Sequence, residues 1–152
     1  MRIITIISLI FVCSVVKSIN LEISDHIVFK EYECMAKTLH HEARGETSSG
    51  LIAVANVVIN RTLHRSYPKT ICGVVYQKNQ FSWVGRTKAV NLENISPKVK
   101  LIAYEAVLNN SWKDNTNGAL FFHTITNKNM WNKKSLQPTA KIGNHVFFKY
   151  RN

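Results

Sequence analysis

The chain has 152 residues, of which 45% are hydrophobic and 19% are charged, and these values suit one globular domain and argue against a second. Its 20 lysines and arginines exceed its 9 aspartates and glutamates, so the formal net charge is +11. This charge indicates an anionic polymer as partner, with a solvated basic surface as the alternative.

The N-terminus has the pattern of a secretory signal peptide. Met1-Arg2 supplies a positive start, an apolar run covers residues 3–16, and small residues near Ser18 suit a cleavage site. The run is shorter than the roughly 20 residues that a membrane-spanning helix needs. We therefore expect cleavage near Ser18, a secreted protein without a stable membrane anchor, and one domain over residues 19–152. An uncleaved anchor is the alternative.

Export changes the meaning of the cysteines, because thiols tend to pair in an oxidising compartment. Cys13 lies in the apolar run and should leave with it. The sequence therefore predicts a disulfide between Cys34 and Cys72, with two buried free thiols as the alternative. Export also favours an anionic cell wall over nucleic acid as the partner, and no nucleic-acid-binding module is visible.

Three helices are predicted from apolar positions that recur every three or four residues. The first covers residues 30–43, and the second covers residues 51–63 and should be largely buried. The third opens at Ser96-Pro97, a cap followed by a proline, and should stop near Asn109-Asn110. Residues 71–76 suit either a helical turn or a strand.

The remaining segments indicate a long loop and two strands. Residues 79–91 mix aromatic, glycine and basic residues without a period, which is typical of a binding loop. Ala119–Thr124 and Ile142–Phe148 are β-branched or aromatic segments beside glycines, and they suit paired strands. The predicted fold class is α+β, predominantly helical with a small antiparallel β-sheet.

The densest cluster of reactive side chains is the sequence His-His-Glu-Ala-Arg-Gly-Glu at residues 40–46. A zinc-protease helix needs two histidines four positions apart, and the position four after His41 is Gly45. The Gly-x-Ser-x-Gly motif of a serine nucleophile is missing from the sequence. We expect neither a metal nor another cofactor, and acid–base chemistry by a carboxyl group remains.

Glu42 is the candidate general acid. It lies three residues after Leu39, so it continues the inward stripe of the first helix to the edge of the core. An apolar wall there would raise its pKa, and glycosidic bond cleavage needs a carboxylic acid that is still protonated near neutral pH. A helix-end salt bridge with Arg44 or a lysine is the alternative. Glu46 looks more exposed.

Several sequence blocks follow one another in a specific order. They are HEARGE at 41–46, AVANVVINR at 53–61, VVYQ at 74–77, QFSW at 80–83, GALFFH at 118–123 and IGNHVFF at 142–148. Together they resemble the cell-wall hydrolase family typified by the bacterial spore cortex-lytic enzyme. One position departs from the family pattern: residue 40, often tyrosine there, is histidine here.

The resemblance implies a lysozyme-like catalytic domain that cleaves peptidoglycan between N-acetylmuramic acid and N-acetylglucosamine. It implies lytic transglycosylation, with Glu42 as general acid and base and with 1,6-anhydromuramoyl products. It also suggests that further residues contact the substrate, although packing is the alternative for each of them. These residues are Gln80, Phe81, Ser82 and Trp83. His123 and Tyr76 are further substrate-binding candidates apart from the resemblance, with a hydrogen-bonded structural histidine and a packed ring as their alternatives.

Two rival functions remain open at this point. One is a lysozyme-type muramidase that delivers water to the anomeric carbon, and the other is a basic protein that binds the cell wall without turnover. We expect a monomer that meets peptidoglycan and anionic cell-wall polymers. Whether it is a bacterial remodelling enzyme, a phage endolysin or an antibacterial effector also stays open.

Overall fold

A computed structural model describes residues 2–86, 90–108, 113–126 and 134–151. Its elements are α1 (Arg2–Ala43), α2 (Ser48–Leu63), α3 (Ile71–Tyr76), a 3-10 helix (Leu92–Asn94), α4 (Pro97–Leu108), β1 (Phe121–Thr124), β2 (Leu136–Ile142) and β3 (His145–Tyr150). The predicted α+β class, mostly helical with a small antiparallel sheet, is confirmed. The predicted stop at Asn109-Asn110 and part of the predicted loop, residues 87–89, lie outside the described residues.

The chain divides into two units, residues 1–30 and residues 31–152. In the first unit, large apolar side chains of α1 such as Leu21 and Phe29 are exposed. The helix begins at Arg2, so the predicted start near residue 30 is wrong, whereas its end at Ala43 is as predicted. Within the described ranges, no helix is both long enough and apolar enough to cross a membrane. The signal peptide stays a prediction.

Helix α2 is the centre of the second unit. Thr47 caps its first turn by accepting a hydrogen bond from the amide of Gly50, and its apolar residues from Leu51 to Val58 are almost all fully buried. It packs against α3, α4, β1 and β2. The prediction of a largely buried second helix is confirmed.

A disulfide between Cys34 and Cys72 joins α1 to α3 with 5.3 Å between the Cα atoms, so the predicted pairing is confirmed. Residues 71–76, for which the sequence suited either a helical turn or a strand, form a helix. Its first amide, that of Ile71, donates to the Glu31 carboxylate, and the Thr70 hydroxyl accepts from the amide of Gly73 at 3.0 Å. These two acceptors satisfy amides that a helix leaves unpaired at its start.

The sheet has the order β1-β3-β2, and both pairs of neighbours are antiparallel. The predicted strand over Ile142–Phe148 is wrong in its boundaries, because Gly143 and Asn144 form the turn between β2 and β3. Gly143 has φ +57°, which glycine adopts without strain. Strand β2 was not predicted, since it contains Pro138, where the register with β3 shifts.

Asparagines of α2 hold the loop that leads into β1. Asn60 Nδ2 donates to the carboxylate of Asp114 at 3.1 Å and to the carbonyl of Ala119 at 3.1 Å. Asn56 Nδ2 donates to the side-chain oxygen of Asn115 at 3.1 Å. Asp114 also accepts from the amide of Thr116 at 2.7 Å. This network fixes where β1 begins. Phe121 and Phe122 of β1 form one wall of a cleft that also contains Glu42.

Candidate active site

Glu42 lies in the last turn of α1, half-buried, in the wall of a cleft of about 800 Å³. The cleft is lined by His41, Glu42, Arg61, Asn79, Gln80, Phe81, Ser82, Phe121, Phe122, His123, Thr124 and His145. Among the described residues, Glu42 is the only carboxylate in this lining. The cleft therefore presents one acidic group to whatever binds in it.

Two further clefts share residues with this main cleft. One, of about 270 Å³, is formed by residues 41–46 together with Thr124, Asn144 and His145. It has His41, Glu42, Thr124 and His145 in common with the main cleft, so Glu42 lies at the junction of the two. The other, of about 550 Å³, shares residues 79–82 with the main cleft. Connected clefts with an acid at a junction suit an extended polymer.

Burial raises the pKa of Glu42, and the nearby positive charge of Arg61 lowers it by less, so the net pKa lies above the usual value for glutamate. The carboxyl group thus stays protonated to higher pH than a surface glutamate. Within the described ranges Glu42 forms no salt bridge, and Arg44 lies with Nη1 3.4 Å from His40 Nε2. The alternative of a helix-end salt bridge with Arg44 or a lysine is therefore wrong for the residues that the structure describes.

Arg61 is a site residue to which the sequence analysis gave no role. It is only 5% exposed, its Nε donates to the carbonyl of Leu120 at 2.8 Å, and its guanidinium lies 5.5 Å from the ring centroids of both Tyr67 and Phe81. These contacts offset the cost of burying its charge. The sequence does contain one signal for this role: Arg61 is a basic residue three positions after Val58, on the inward stripe of α2.

Glu46 is buried, with 7% exposure, so the prediction that it is more exposed than Glu42 is wrong. Its carboxylate accepts hydrogen bonds from the amide of Asn144 at 3.1 and 3.3 Å and lies 3.3 Å from His145 Nδ1. The turn between β2 and β3 therefore covers the side chain of Glu46, which lies in the link between α1 and α2.

The predicted substrate-binding residues fall into three places. Gln80, Phe81, Ser82 and His123 line the main cleft with Glu42, and Tyr76 lines the adjoining cleft of about 550 Å³. The ring of Trp83 stacks on that of His41, with centroids 4.5 Å apart and planes at 17°. Phe81 is also part of the core, and His123 also stacks on a ring of β3, that of Phe148.

The family model for cell wall hydrolases matches residues 45–148 of the chain. Glu42 lies just before the matched range. The spore cortex-lytic enzyme of Bacillus cereus is 32% identical over 121 residues, which are 78% of this chain and 44% of that protein. The enzyme of the same name from Bacillus subtilis is 28% identical over 117 residues, or 74% of this chain and 35% of that protein.

Two solved structures are also similar. The catalytic domain of the germination-specific lytic transglycosylase SleB from Bacillus anthracis superposes with a TM-score of 0.66 at 28% identity, covering 78% of this chain and 93% of that one. The catalytic domain of the Bacillus cereus SleB protein gives 0.67 at 28% identity, with 78% and 89% covered. The chain spans less than half the length of the two cortex-lytic enzymes but most of these catalytic domains.

Proposed function

Because the chain belongs to the cell wall hydrolase family, we propose that it cleaves peptidoglycan strands between N-acetylmuramic acid and N-acetylglucosamine as a lytic transglycosylase. The observation that carries the proposal is the single carboxyl group of Glu42 at the junction of two clefts. The similar SleB domain, itself a lytic transglycosylase, supports the type of reaction.

In the proposed first step, Glu42 donates its proton to the glycosidic oxygen, and the bond from the anomeric carbon of the muramoyl residue to that oxygen breaks. The N-acetylglucosamine side leaves with a new hydroxyl group, and positive charge develops at the anomeric carbon. A raised pKa suits this step, since the acid must still hold its proton near neutral pH.

In the second step, the Glu42 carboxylate takes the proton of the muramoyl 6-hydroxyl while that oxygen bonds to the anomeric carbon. The product is a 1,6-anhydromuramoyl end, no water is consumed, and Glu42 regains its proton. One carboxylate thus serves both steps, which agrees with the single acidic group in the main cleft. The buried charge of Arg61 stabilises the carboxylate between the steps.

The remaining site residues take supporting roles in this proposal. Gln80, Ser82 and His123 supply polar groups to hold sugar hydroxyls and acetamido groups, while the rings of Trp83 and Tyr76 offer apolar faces. The basic surface attracts anionic cell-wall polymers and speeds encounter with the wall. We further propose that the protein is exported, because a signal-like N-terminus accompanies a disulfide, and that it acts as a monomer.

The proposal is tested by mass spectrometry of the soluble products that the protein releases from purified peptidoglycan. We expect anhydro-muropeptides from the wild type and almost none from Glu42→Gln, which keeps the shape of the side chain but has no proton to donate. Glu33→Gln, a change on α1 away from the clefts, is the matched control and should match the wild type.

Each other outcome overturns part of the proposal. Products heavier by one water, with reducing ends, would mean lysozyme-type chemistry. Binding to peptidoglycan without products from any variant would mean a binding protein. Full activity of Glu42→Gln would remove Glu42 from the mechanism.

A further inference from the structure

We propose that Glu46 is a positioning residue, whose carboxylate holds the Gly143-Asn144 turn and the ring of His145 against the end of α1. The ring of His145 lines both clefts that meet at Glu42. The inference rests on the proposed function, since it concerns the wall beside the proposed acid. Glu46 itself does not enter the reaction.

Among the described residues, the polar partners of the Glu46 carboxylate are in the turn and at the residue after it. The amide of Asn144 donates to Oε1 at 3.1 Å and to Oε2 at 3.3 Å. His145 Nδ1 lies 3.3 Å from Oε1, a close electrostatic contact without the alignment of a hydrogen bond. Since an ionised carboxylate only accepts, this contact favours the proton of the neutral imidazole on Nδ1.

Burial makes these contacts strong. Glu46 is 7% exposed and His145 is 4% exposed, so water does not compete for the carboxylate. An ionised carboxylate is costly to bury unless it is paired and hydrogen-bonded. Burial lowers the pKa of His145. The charge of Glu46 raises that pKa by a smaller amount, and His123 lowers it further. The protonation of the His145 ring therefore depends on the Glu46 carboxylate.

Two glycines leave the space that Glu46 fills. A Cβ on Gly50, in the first turn of α2, would lie 2.8 Å from Glu46 Cβ. A Cβ on Gly143, in the turn, would overlap the Glu46 carboxylate. Lys98 of α4 donates to the backbone carbonyl of Glu46 at 2.8 Å. The residue is thus enclosed by α2, α4 and the β2–β3 turn, and in the described part of the chain its carboxylate pairs with that turn and with His145.

The position of Glu46 in the chain explains why this matters for Glu42. Glu42 is in the last turn of α1, and Glu46 follows four residues later, just after the helix. The C-terminal end of α1 therefore carries the proposed acid and, beside it, the group that holds the β2–β3 turn. If the turn moves away, His145 and Asn144 leave the wall of the smaller cleft. A displacement of about 1 Å in an active site can cost about 100-fold in rate.

The test compares Glu46→Gln and Glu46→Ala with the wild type by steady-state kinetics on peptidoglycan and by NMR of the Asn144 amide and the His145 imidazole. For Glu46→Ala we expect kcat to fall by about 100-fold, with KM changed much less, and the Asn144 amide proton to lose its hydrogen-bond shift. For Glu46→Gln, which keeps one acceptor, we expect a smaller loss of kcat and a lower His145 pKa. Glu33→Gln is the control.

Gly143→Ala approaches the same contact from the opposite side, because its Cβ would displace the carboxylate and its backbone would be strained at φ +57°, so the turn would move. It should reduce kcat by itself, and adding Glu46→Ala should cause little further loss, since both changes break one contact. Fully additive losses, or an unchanged kcat in folded Glu46→Ala, would overturn the positioning role. So would an unchanged His145 pKa in Glu46→Gln. Absence of products from the wild type would instead overturn the proposed function, while the NMR shifts would still decide whether the contact exists.

Discussion

Arg61 donates a 2.8 Å hydrogen bond from Nε to the carbonyl oxygen of Leu120, and this bond ties α2 to the residue before β1. The bond holds a buried guanidinium in the lining of the cleft that also contains Glu42. Burial raises the pKa of Glu42, and the charge of Arg61 opposes it. The protonation of the proposed acid therefore depends on Arg61.

Removing the charge of Arg61 should move the pH dependence of catalysis. In Arg61→Met the pKa of Glu42 rises further, so the acid stays protonated to higher pH and the alkaline limb of kcat/KM shifts upward. Arg61→Lys keeps a positive charge and should shift the limb less. The measurement is kcat/KM against pH for both variants, with Lys141→Met as a control for the net charge. An equal shift in Arg61→Met and Lys141→Met, with no shift in Arg61→Lys, would mean that net charge, not the position of Arg61, controls the limb.

Glu42→Gln should make the protein more stable at neutral pH while removing its activity. The folded pKa of Glu42 is raised above the unfolded value of 4.5. Between these two values the folded state binds more protons, so wild-type stability falls as pH rises through that window. Glutamine carries no charge to bury and avoids this loss.

We expect the Tm of Glu42→Gln to exceed that of the wild type by a few degrees at pH 7. The Tm values of the variant and the wild type should converge below a pH of about 4, where the wild-type carboxyl is protonated in both the folded and unfolded states. Thermal unfolding at both pH values checks this. A lower Tm at pH 7 would mean that the attraction between Glu42 and Arg61 outweighs the cost of burial.

Local signals were sufficient for much of the fold. The apolar stripes predicted α2 and α4 to within a few residues, since each stripe faces a core that requires it. The Cys34–Cys72 pair was predictable because few cysteines were available to pair. The stripe of α1 made Glu42 a candidate acid, but the family resemblance was needed to favour that role over a salt bridge.

Features that depend on distant parts of the chain were missed. The burial of Glu46 depends on Asn144, which is 98 residues away in sequence, so no local pattern predicts it. Strand β2 escaped detection because Pro138 is unfavourable in a strand interior, yet a register shift beside it accommodates the ring. Arg61 belongs to the sequence block at 53–61, but its role follows only from the cleft that folding creates.

Breaking the disulfide should destabilise the protein without changing its chemistry at moderate temperature. Cys34 and Cys72 are 38 residues apart in sequence, and on the chain-entropy estimate a loop of this size is worth about 4 kcal/mol. Neither residue lines the described clefts. Denaturant unfolding of the Cys34→Ser/Cys72→Ser variant should show the loss, and dithiothreitol should affect only the wild type. A fall in kcat at a temperature where the variant is folded would contradict this separation.

Trp83 should contribute to substrate binding more than to the chemical step. Trp83 is not in the lining of the described clefts, but its ring stacks at 4.5 Å on that of His41, which lines the main cleft. Tyr76, which lines the adjoining cleft, approaches the same ring edge-on at 6.5 Å. For Trp83→Ala we expect KM on soluble glycan fragments to rise about two- to tenfold, since an aromatic contact is worth about 0.5–1.5 kcal/mol. Trp83→Phe keeps a ring face, so its KM should rise less.

An NMR titration of His41 separates two roles of the Trp83 ring, binding sugar and supporting His41. Burial, His40 and Arg44 lower the pKa of His41, so if Trp83→Ala returns that pKa toward its usual value and lowers kcat while KM stays constant, the ring supports His41 and does not bind sugar.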